Sequence, residues 1–316
     1  MRYLTLLVCG LVPVSGAVPV SGAEPVSEAA PTIGSEPKAE AVVGTEAGAK
    51  SDSGKAPEPL IEFLWLPPSS ASDGNARAGQ NELRVRVGAP PWWRTSDGRG
   101  GSVFGAGYAR IDPVQSEAGL PAELKSYYVN SVSWWRWSST LSTSLVITPG
   151  LRAADDAFAW DDTRLFVGAF ANWRLSPQLD LGFGVISTSN HRDTKFLPVA
   201  TAIIRPADDW KIWFQGIAAQ VQWQTTPKVA VTASYNLLAS LDFQLPKDDP
   251  DGEIILTRDI RVLGGLRWSA FRYCSVGVVA GAAFNRRWQW EGDDPVRDDL
   301  RLAPTTILGL NAFLTL

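Results

Sequence analysis

Period-two alternation of apolar side chains runs through most of this chain and constrains its fold more than any other feature. In the clearest stretches every second residue is apolar and the residues between are mostly polar or small: 83–89, 179–185, 229–237, 260–268 and 308–316. Such alternation places the apolar set on one face of a β-sheet. No segment shows an apolar stripe of period 3.6 and helical length. The sequence therefore predicts an all-β body.

Two all-β architectures use strands of this kind. A soluble sandwich or propeller buries the apolar faces as a core and shows the polar faces to water. A transmembrane barrel turns the apolar faces to lipid and the small or polar faces to its lumen. A bundle of membrane helices is excluded, because the longest apolar runs fall short of the roughly 18–20 residues that a helix needs to span a bilayer.

The breaks between strands favour the barrel. Short breaks alternate with long acidic ones along much of the chain. The short breaks are 136–139, 175–178, 205–209, 224–228 and 269–272, and the long ones are 150–162, 242–253 and 289–299. Short periplasmic turns and longer outer loops alternate in this way in bacterial outer-membrane barrels.

Tryptophan is abundant, with 14 residues, and its placement points to the same architecture. Six indoles beside short breaks are predicted to form a girdle at the membrane interface: Trp135, Trp137, Trp173, Trp210, Trp223 and Trp268. Trp160, Trp288 and Trp290 lie at the ends of the long loops. A ring that is apolar in its body and polar at its N–H suits the lipid–water boundary, whereas core indoles would be expected in mid-strand.

The spacing of the breaks sets the strand count. The sequence predicts an antiparallel, up-and-down transmembrane β-barrel of about 12–14 strands, with about 14 favoured. The larger number requires residues 210–224 to double back near Gly216 and residues 60–66 to form a strand. Both pieces are shorter than the roughly 9–11 residues typical of a membrane strand, so a barrel of about twelve strands is the alternative.

The N-terminal residues are predicted to lie outside the barrel. Residues 1–23 have the basic start, apolar run and small-residue end of a secretory signal peptide, and a lipid anchor on Cys9 is disfavoured because bulky Val8 precedes it. Residues 24–59, rich in Ala, Pro and Glu, predict a disordered periplasmic tether. Residues 60–316 then form the barrel, and export predicts a location in the cell outer membrane.

Four short stretches resemble a known bacterial family. They are 147–150 (Ile-Thr-Pro-Gly), 173–178 (Trp-Arg-Leu-Ser-Pro-Gln), 196–199 (Phe-Leu-Pro-Val) and 206–210 (Pro-Ala-Asp-Asp-Trp). Together they resemble the family of outer-membrane β-barrel proteins catalogued as domain of unknown function 6268, over residues 60–316. The resemblance implies a β-barrel and an outer-membrane address, but no catalytic residue. One departure is the last residue, Leu316, where assembly signals of such barrels usually have an aromatic side chain.

Charged residues on the polar faces point to a channel. The predicted lumen-lining residues are Arg84, Arg86, Arg164, Asp180, Arg261 and Arg267. Rings of Arg in a pore favour anions, and a barrel of about a dozen strands leaves space inside. The favoured function is a porin-like passive channel for small solutes with slight anion preference. If Arg instead pairs with Asp or Glu across the lumen, the barrel is plugged and serves a structural or surface-binding role.

Other chemistry is weakly represented in the sequence. His191, the single His, shares the loop 187–193 with Ser and Asn, the residue types of an outer-membrane lipid hydrolase, but adjacent loop residues rarely form a catalytic triad. Asp249, Asp251 and Glu253 are candidate metal ligands, yet the spacing of a Ca²⁺ loop is absent and a solvated acidic loop is favoured. We therefore expect no enzymatic activity and no cofactor.

Charge and fold class together define the expected partners. The formal net charge is −4, so the composition has no excess of basic residues that would favour binding of nucleic acid. A barrel of this class would contact outer-membrane lipid and lipopolysaccharide, and the barrel-assembly machinery during its biogenesis.

Overall fold

The computed structural model describes residues 59–72, 76–89, 91–114, 120–158, 163–189, 194–216, 218–246, 254–271, 274–291 and 299–314. Sixteen β-strands lie within these ranges: β1 Leu60–Ser70, β2 Arg77–Gly88, β3 Trp93–Arg94, β4 Gly100–Val114, β5 Leu124–Arg136, β6 Leu141–Ala154, β7 Arg164–Ser176, β8 Leu179–Ser189, β9 Thr194–Ile204, β10 Trp210–Gln215, β11 Ala218–Thr226, β12 Val229–Gln244, β13 Ile254–Phe271, β14 Cys274–Glu291, β15 Leu300–Leu302 and β16 Thr305–Leu314. No described segment forms a helix long and apolar enough to cross a membrane.

Fourteen of these strands form a closed antiparallel β-barrel, to which β3 and β15 are short additions. Neighbours in the chain are neighbours in the sheet, as the up-and-down prediction requires. The barrel closes where β1 pairs with β16, in a register that sets Leu60 opposite Phe313. The predicted fold class is therefore confirmed, and a sandwich, which needs a second packed sheet, is wrong.

The favoured strand count of fourteen is also confirmed, including its two doubtful pieces. The chain reverses at Gly216, whose φ of 56° lies in the left-handed region that glycine adopts without strain. Strand β10, which precedes this turn, has only 6 residues, and β1 has 11. The spacing of the breaks was thus a sufficient guide to the number of strands even where a strand is short.

The two ends of the barrel differ. At one end, called here the turn end, short connections such as residues 177–178 and 227–228 join the strands, and both β1 and β16 reach it with their chain-terminal residues. The opposite end, called the loop end, carries the long connections. The alternation of short and long breaks in the sequence corresponds to these two ends.

The outward face of the barrel is apolar and exposed. Leu310 on β16, Val278 on β14 and Phe183 on β8 are 62%, 52% and 56% exposed, and each belongs to the outward set of its strand. Apolar side chains are thus on the outside of the wall and charged ones inside, the reverse of a soluble barrel. A water-soluble protein of this size would not expose so much contiguous apolar surface.

An apolar cluster lies at the loop end of the barrel. It is called here the mouth cluster, and its buried members come from nine strands or their ends: Ala71, Ala78, Ile111, Leu124, Ala154, Phe243, Leu245, Ile255, Trp288, Trp290, Leu300 and Leu302. Trp288 and Phe243 are among the largest fully buried side chains described. The cluster lies at the strand ends, so the largest buried apolar cluster of the described residues is at one mouth of the barrel.

Strand β12 brings part of this cluster into place by turning away from β11 while it stays paired with β13 as far as Gln244. It pairs with β11 as far as Asn236, opposite Ala218. Farther along, Gln244 pairs in parallel with Ala153 of β6, although five strands, β7 to β11, separate β6 from β12 in the wall. The loop-end half of β12 therefore crosses the barrel interior, and it carries Phe243 into the mouth cluster.

Candidate functional site: the barrel interior

The structure places all six predicted lumen residues on the inward side of their strands. Four of them, Arg84, Arg86, Arg261 and Arg267, line the central cavity. Arg164 is buried beside β12, and Asp180 lies near the turn end between two arginines, Arg174 and Arg205. Except for Arg164, the first residue of β7, each lies between two apolar residues of the outward set, so its inward orientation follows from the strand alternation.

The cavity in the middle of the barrel has a volume of about 240 Å³. Its walls combine apolar side chains such as Trp213 and Leu263 with polar ones. The charged residues that line it are Glu62, Arg84, Arg86, Arg152, Arg261 and Arg267. Five guanidinium groups face this space with one carboxylate among the lining residues. Because Arg84, Arg261 and Arg152 also contact the buried carboxylates of Glu82, Asp259 and Asp242, the walls keep only a small surplus of positive charge.

Glu82 on β2 is the centre of one ion-pair network. The side chain is only 1% exposed. Its two oxygens accept hydrogen bonds from the Nη atoms of Arg261 at 2.5 and 2.8 Å, and Oε2 also accepts one from Arg84 at 2.6 Å. Arg261 in turn donates to both oxygens of Asp259 at 2.9 Å. Each buried charge thus has opposite charges within hydrogen-bond distance, which burial in a low dielectric requires.

This network spans the barrel from wall to wall. Glu82 lies on β2 and Arg261 on β13, and three strands, β1, β16 and β14, lie between them along the wall. The bidentate pair is therefore a cross-brace through the interior. It fixes the distance between two separate parts of the sheet and narrows the lumen.

A second network holds the crossing part of β12. The carboxylate of Asp242 accepts hydrogen bonds from Arg152 Nη1 at 2.9 Å and Arg164 Nε at 2.8 Å. The two arginines belong to β6 and β7, so both bonds pull β12 toward the opposite wall. Asp242 is 4% exposed, and the pairing matches the plugged-lumen alternative stated above.

Sequence analysis missed the acidic half of these networks and Arg152. Glu62 alternates with outward apolar residues just as most of the predicted arginines do, so the signal for its inward orientation was present. Asp242 also lies between two apolar residues, Leu241 and Phe243, but its position was assigned to the long break 242–253. Which Arg meets which acid was not readable, because Glu82 and Arg261 are 179 residues apart.

At the turn end, Arg267 stacks on an aromatic ring. Its guanidinium carbon lies 4.1 Å from the ring centroid of Phe313, one residue in from the end of β16. A guanidinium over a ring face is held electrostatically and by packing. Arg267 therefore has a fixed position at the turn-end entrance of the cavity.

The six indoles predicted as an interface girdle are all exposed at the turn end. Their exposed fractions lie between 36% for Trp210 and 64% for Trp137. Trp210 and Trp223 stack with ring centroids 5.4 Å apart, and Trp223 Nε1 donates to Asp209 at 2.9 Å. Each of these indoles has an apolar face outside the wall and lies close to polar turn residues.

The indoles at the loop end behave differently. Trp288 and Trp290 are 2% and 5% exposed, because they pack inside the mouth cluster instead of facing outward. Their placement beside a long loop was a correct observation, but it did not reveal the face on which they lie. Trp160 lies outside the described residues.

Several other predicted features also lie outside the described residues. These are His191 and the acidic loop with Asp249, Asp251 and Glu253. Within the described ranges, no group of three or more His, Cys, Asp or Glu side chains has the arrangement of a metal site. Cys274, a free thiol, is half-buried at the start of β14.

The fold and the interior define a closed fourteen-stranded barrel with an apolar exterior and an arginine-rich lumen. No protein-family model matches the sequence, and no curated protein matches it. Similar solved structures include the NanC porin (7% identity, TM-score 0.39, 82% of this chain and 100% of that one). They also include the KdgM porin in complex with disordered oligogalacturonate (7%, 0.37, 81% and 99%) and the Pseudomonas putida toluene transporter TodX (9%, 0.32, 84% and 90%). Similarity at these values carries no conclusion about solute or mechanism.

Proposed function

We propose that this protein is a porin-like passive channel of the outer membrane, narrow in bore and with slight anion preference. The observation that carries the proposal is the charge of the central cavity, which five arginines and one glutamate line. Fixed positive charges in a confined space raise the local concentration of anions. Their effect on permeation is strongest where the bore is narrow.

The outer surface supports the membrane part of the proposal. Exposed Leu, Val and Phe side chains suit contact with lipid, and a closed sheet leaves no unpaired strand at its seam. In this setting the indoles of the turn end would lie at the periplasmic interface, and the loop end would face lipopolysaccharide. Export through residues 1–23, dependence on the barrel-assembly machinery and membership in the family named above are parts of the same proposal.

Conduction requires the mouth cluster to move or to be bypassed. The cluster and the Asp242 network together hold the end of β12 across the loop end of the lumen. In the described residues this end is occupied by protein, so the arrangement corresponds to a closed or weakly conducting state. We expect small, infrequent single-channel events.

Planar bilayers test the proposal directly. Purified protein should give stepwise conductance, and a KCl gradient should give a reversal potential of the sign for Cl⁻ preference. Arg86→Gln should shift that potential toward zero, because it removes one cavity charge. Arg99→Gln is the matched control, since the Arg99 side chain is 70% exposed on a connection outside the lumen. Absence of conductance, or cation preference, would contradict the proposal.

A second candidate is a plugged barrel with a structural or surface-binding role. The mouth cluster and the two ion-pair networks favour it, since they fill much of the loop end. Deletion of residues 246–253 separates the candidates. A channel should keep its ion selectivity without this loop, whereas a surface-binding barrel should lose its partner and never conduct.

A further inference from the structure

The barrel wall has a gap beside the β10–β11 hairpin. The ladder between β9 and β10 ends at Thr201, opposite Gln215. Among the described residues, 194–199 of β9 pair only with β8. On the other side of the hairpin, β12 has no partner in β11 after Asn236. Above Gly216, the edge of β9 therefore has no described strand beside it, because the hairpin ends there and β12 turns towards β6. We call this gap the notch.

The sequence builds the notch with two residues. Gly216 N donates to Ala200 O at 2.9 Å, which continues the pairing of β9 with β10 by one residue and shows that even-numbered residues of β9 turn their backbone groups to this side. The next such residue is Pro198, which has no N–H to offer a longer β10. Proline is confined to strand edges for this reason. The short hairpin is thus matched by an edge that cannot extend it.

The height of the notch places it within the membrane. A strand rises about 3.3 Å per residue, or about 2.5 Å along the barrel axis at a tilt of about 40°. The 6 residues of β10 therefore reach about 15 Å from the girdle residue Trp210 into an apolar band about 25 Å tall. In the proposed orientation the notch opens in the outer half of the bilayer.

An open strand edge does not face hydrocarbon directly. Each unsatisfied backbone group there costs several kcal/mol, and such edges occur only where they line a cavity or are covered by protein. At the base of the notch, Gln215, Ala218 and Asn236 line the central cavity, whereas no described residue of β9 does. The base of the notch therefore borders the cavity.

The lips of the notch are apolar on both sides of the wall. Phe196 points outward and is 70% exposed, one of the most exposed large apolar side chains of the barrel. On the inner side, Leu197 and Val199 of β9 pack with Phe170 and Ile186 on the neighbouring strands. A molecule passing the notch would meet apolar surface first and the arginines of the cavity afterwards.

We infer that the notch is a lateral passage between the outer half of the bilayer and the lumen, for an amphipathic anion with one apolar chain and one acidic head group. The mouth cluster occupies part of the axial route at the loop end, and the notch would provide a side route to the same cavity. The apolar lips suit the chain, and the arginine-lined cavity suits the head group. The inference rests on the proposed placement of the barrel in the outer membrane.

The test uses full-length mature protein in phospholipid vesicles and a dansyl-labelled alkyl sulfonate, whose permanent charge slows its flip across plain lipid. Dye is added outside, and serum albumin, too large for the barrel, extracts what remains in the outer leaflet. Protein-containing vesicles should move dye beyond the reach of albumin about tenfold faster than protein-free vesicles. Ionic conductance is measured on the same preparation.

Two tryptophan substitutions locate the route. Ala218→Trp fills the base of the notch and should return dye transfer to within about twofold of protein-free vesicles. Ala233→Trp is the matched control, because Ala233 is exposed on the outward face of β12, and it should transfer dye as the unaltered protein does. The gel mobility of unheated samples verifies that both variants are folded barrels.

A third variant closes the wall in a different way. Two extra residues in each of β10 and β11, combined with Pro198→Thr, give the edge of β9 a partner and should abolish dye transfer while ionic conductance persists. The passage is refuted if unaltered protein transfers dye no faster than bare vesicles, or if Ala218→Trp and Ala233→Trp behave alike. Loss of conductance with intact dye transfer would instead refute the channel proposal and leave the passage standing.

Discussion

At the scale of single residues, burial and charge decide which side chains hold the interior together. Glu82 contacts Arg261, Arg84 and Gln80 and is nearly inaccessible to solvent. Removal of one partner from a buried charge network leaves the others without compensation, which costs about 3–5 kcal/mol. An ion pair that is partly solvated, such as Arg84 with Glu62 at 3.4 Å, contributes about 1 kcal/mol or less.

Glu82→Gln should therefore destabilise the barrel by about 3 kcal/mol, because Arg261 and Arg84 lose their shared counter-charge. Glu62→Gln, the same change on the neighbouring strand, should cost about 1 kcal/mol or less. Urea unfolding in vesicles, followed by gel mobility, measures both. Equal effects would show that the cross-brace does not stabilise the fold.

The outward face offers a second test at residue level. Leu310 and Leu175 are both 62% exposed, but Leu310 lies in the middle of β16 and Leu175 at the turn end. In a membrane, Leu310→Arg should cost about 2–4 kcal/mol and Leu175→Arg about 0–1, since the cost of a charge falls toward the interface. In water the two exposed sites should tolerate Arg equally. A urea titration of both variants in vesicles distinguishes these outcomes.

At the scale of strands, the sequence was informative where alternation was unbroken. The outward sets on β2, β8, β13 and β16 could be assigned residue by residue, and their inward arginines followed. The course of β12 could not be predicted. Its change of direction follows from a register shift after Asn236 and from contacts with β6 and β7, which are distant in sequence. A period-two pattern of apolar residues identifies a strand but does not show which strands lie beside it in the sheet.

The crossing part of β12 has a testable consequence for conduction. Phe243→Ala removes a fully buried ring from the mouth cluster and should cost about 3–5 kcal/mol there. The loosened cluster should raise single-channel conductance or open probability. Phe63→Ala is the matched control, since Phe63 is 43% exposed on the outward face of β1, and it should leave conductance unchanged. Unaltered conductance in both variants would mean that the mouth cluster is not the barrier.

At the scale of the whole molecule, closure of the sheet is the property on which the rest depends. The even number of strands and the location of both ends at one rim could be predicted from the alternation of short and long breaks. The gap beside β10 was not anticipated, although the short hairpin and Pro198 were visible in the sequence. The gap can be recognised only from the pairing of β9 and β12, because a strand edge is free or paired according to which strands lie next to it in space.

Closure also predicts how the intact protein behaves in detergent. A barrel whose sheet closes on itself unfolds as a unit, and its interior ion pairs are shielded from solvent and detergent. Unheated protein in dodecyl sulfate should therefore stay compact and run faster on a gel than boiled protein. The same protein should fractionate with outer membranes. A protein that stays in the periplasmic fraction and has the same mobility before and after boiling would contradict the membrane barrel, and with it both the channel and the lateral passage.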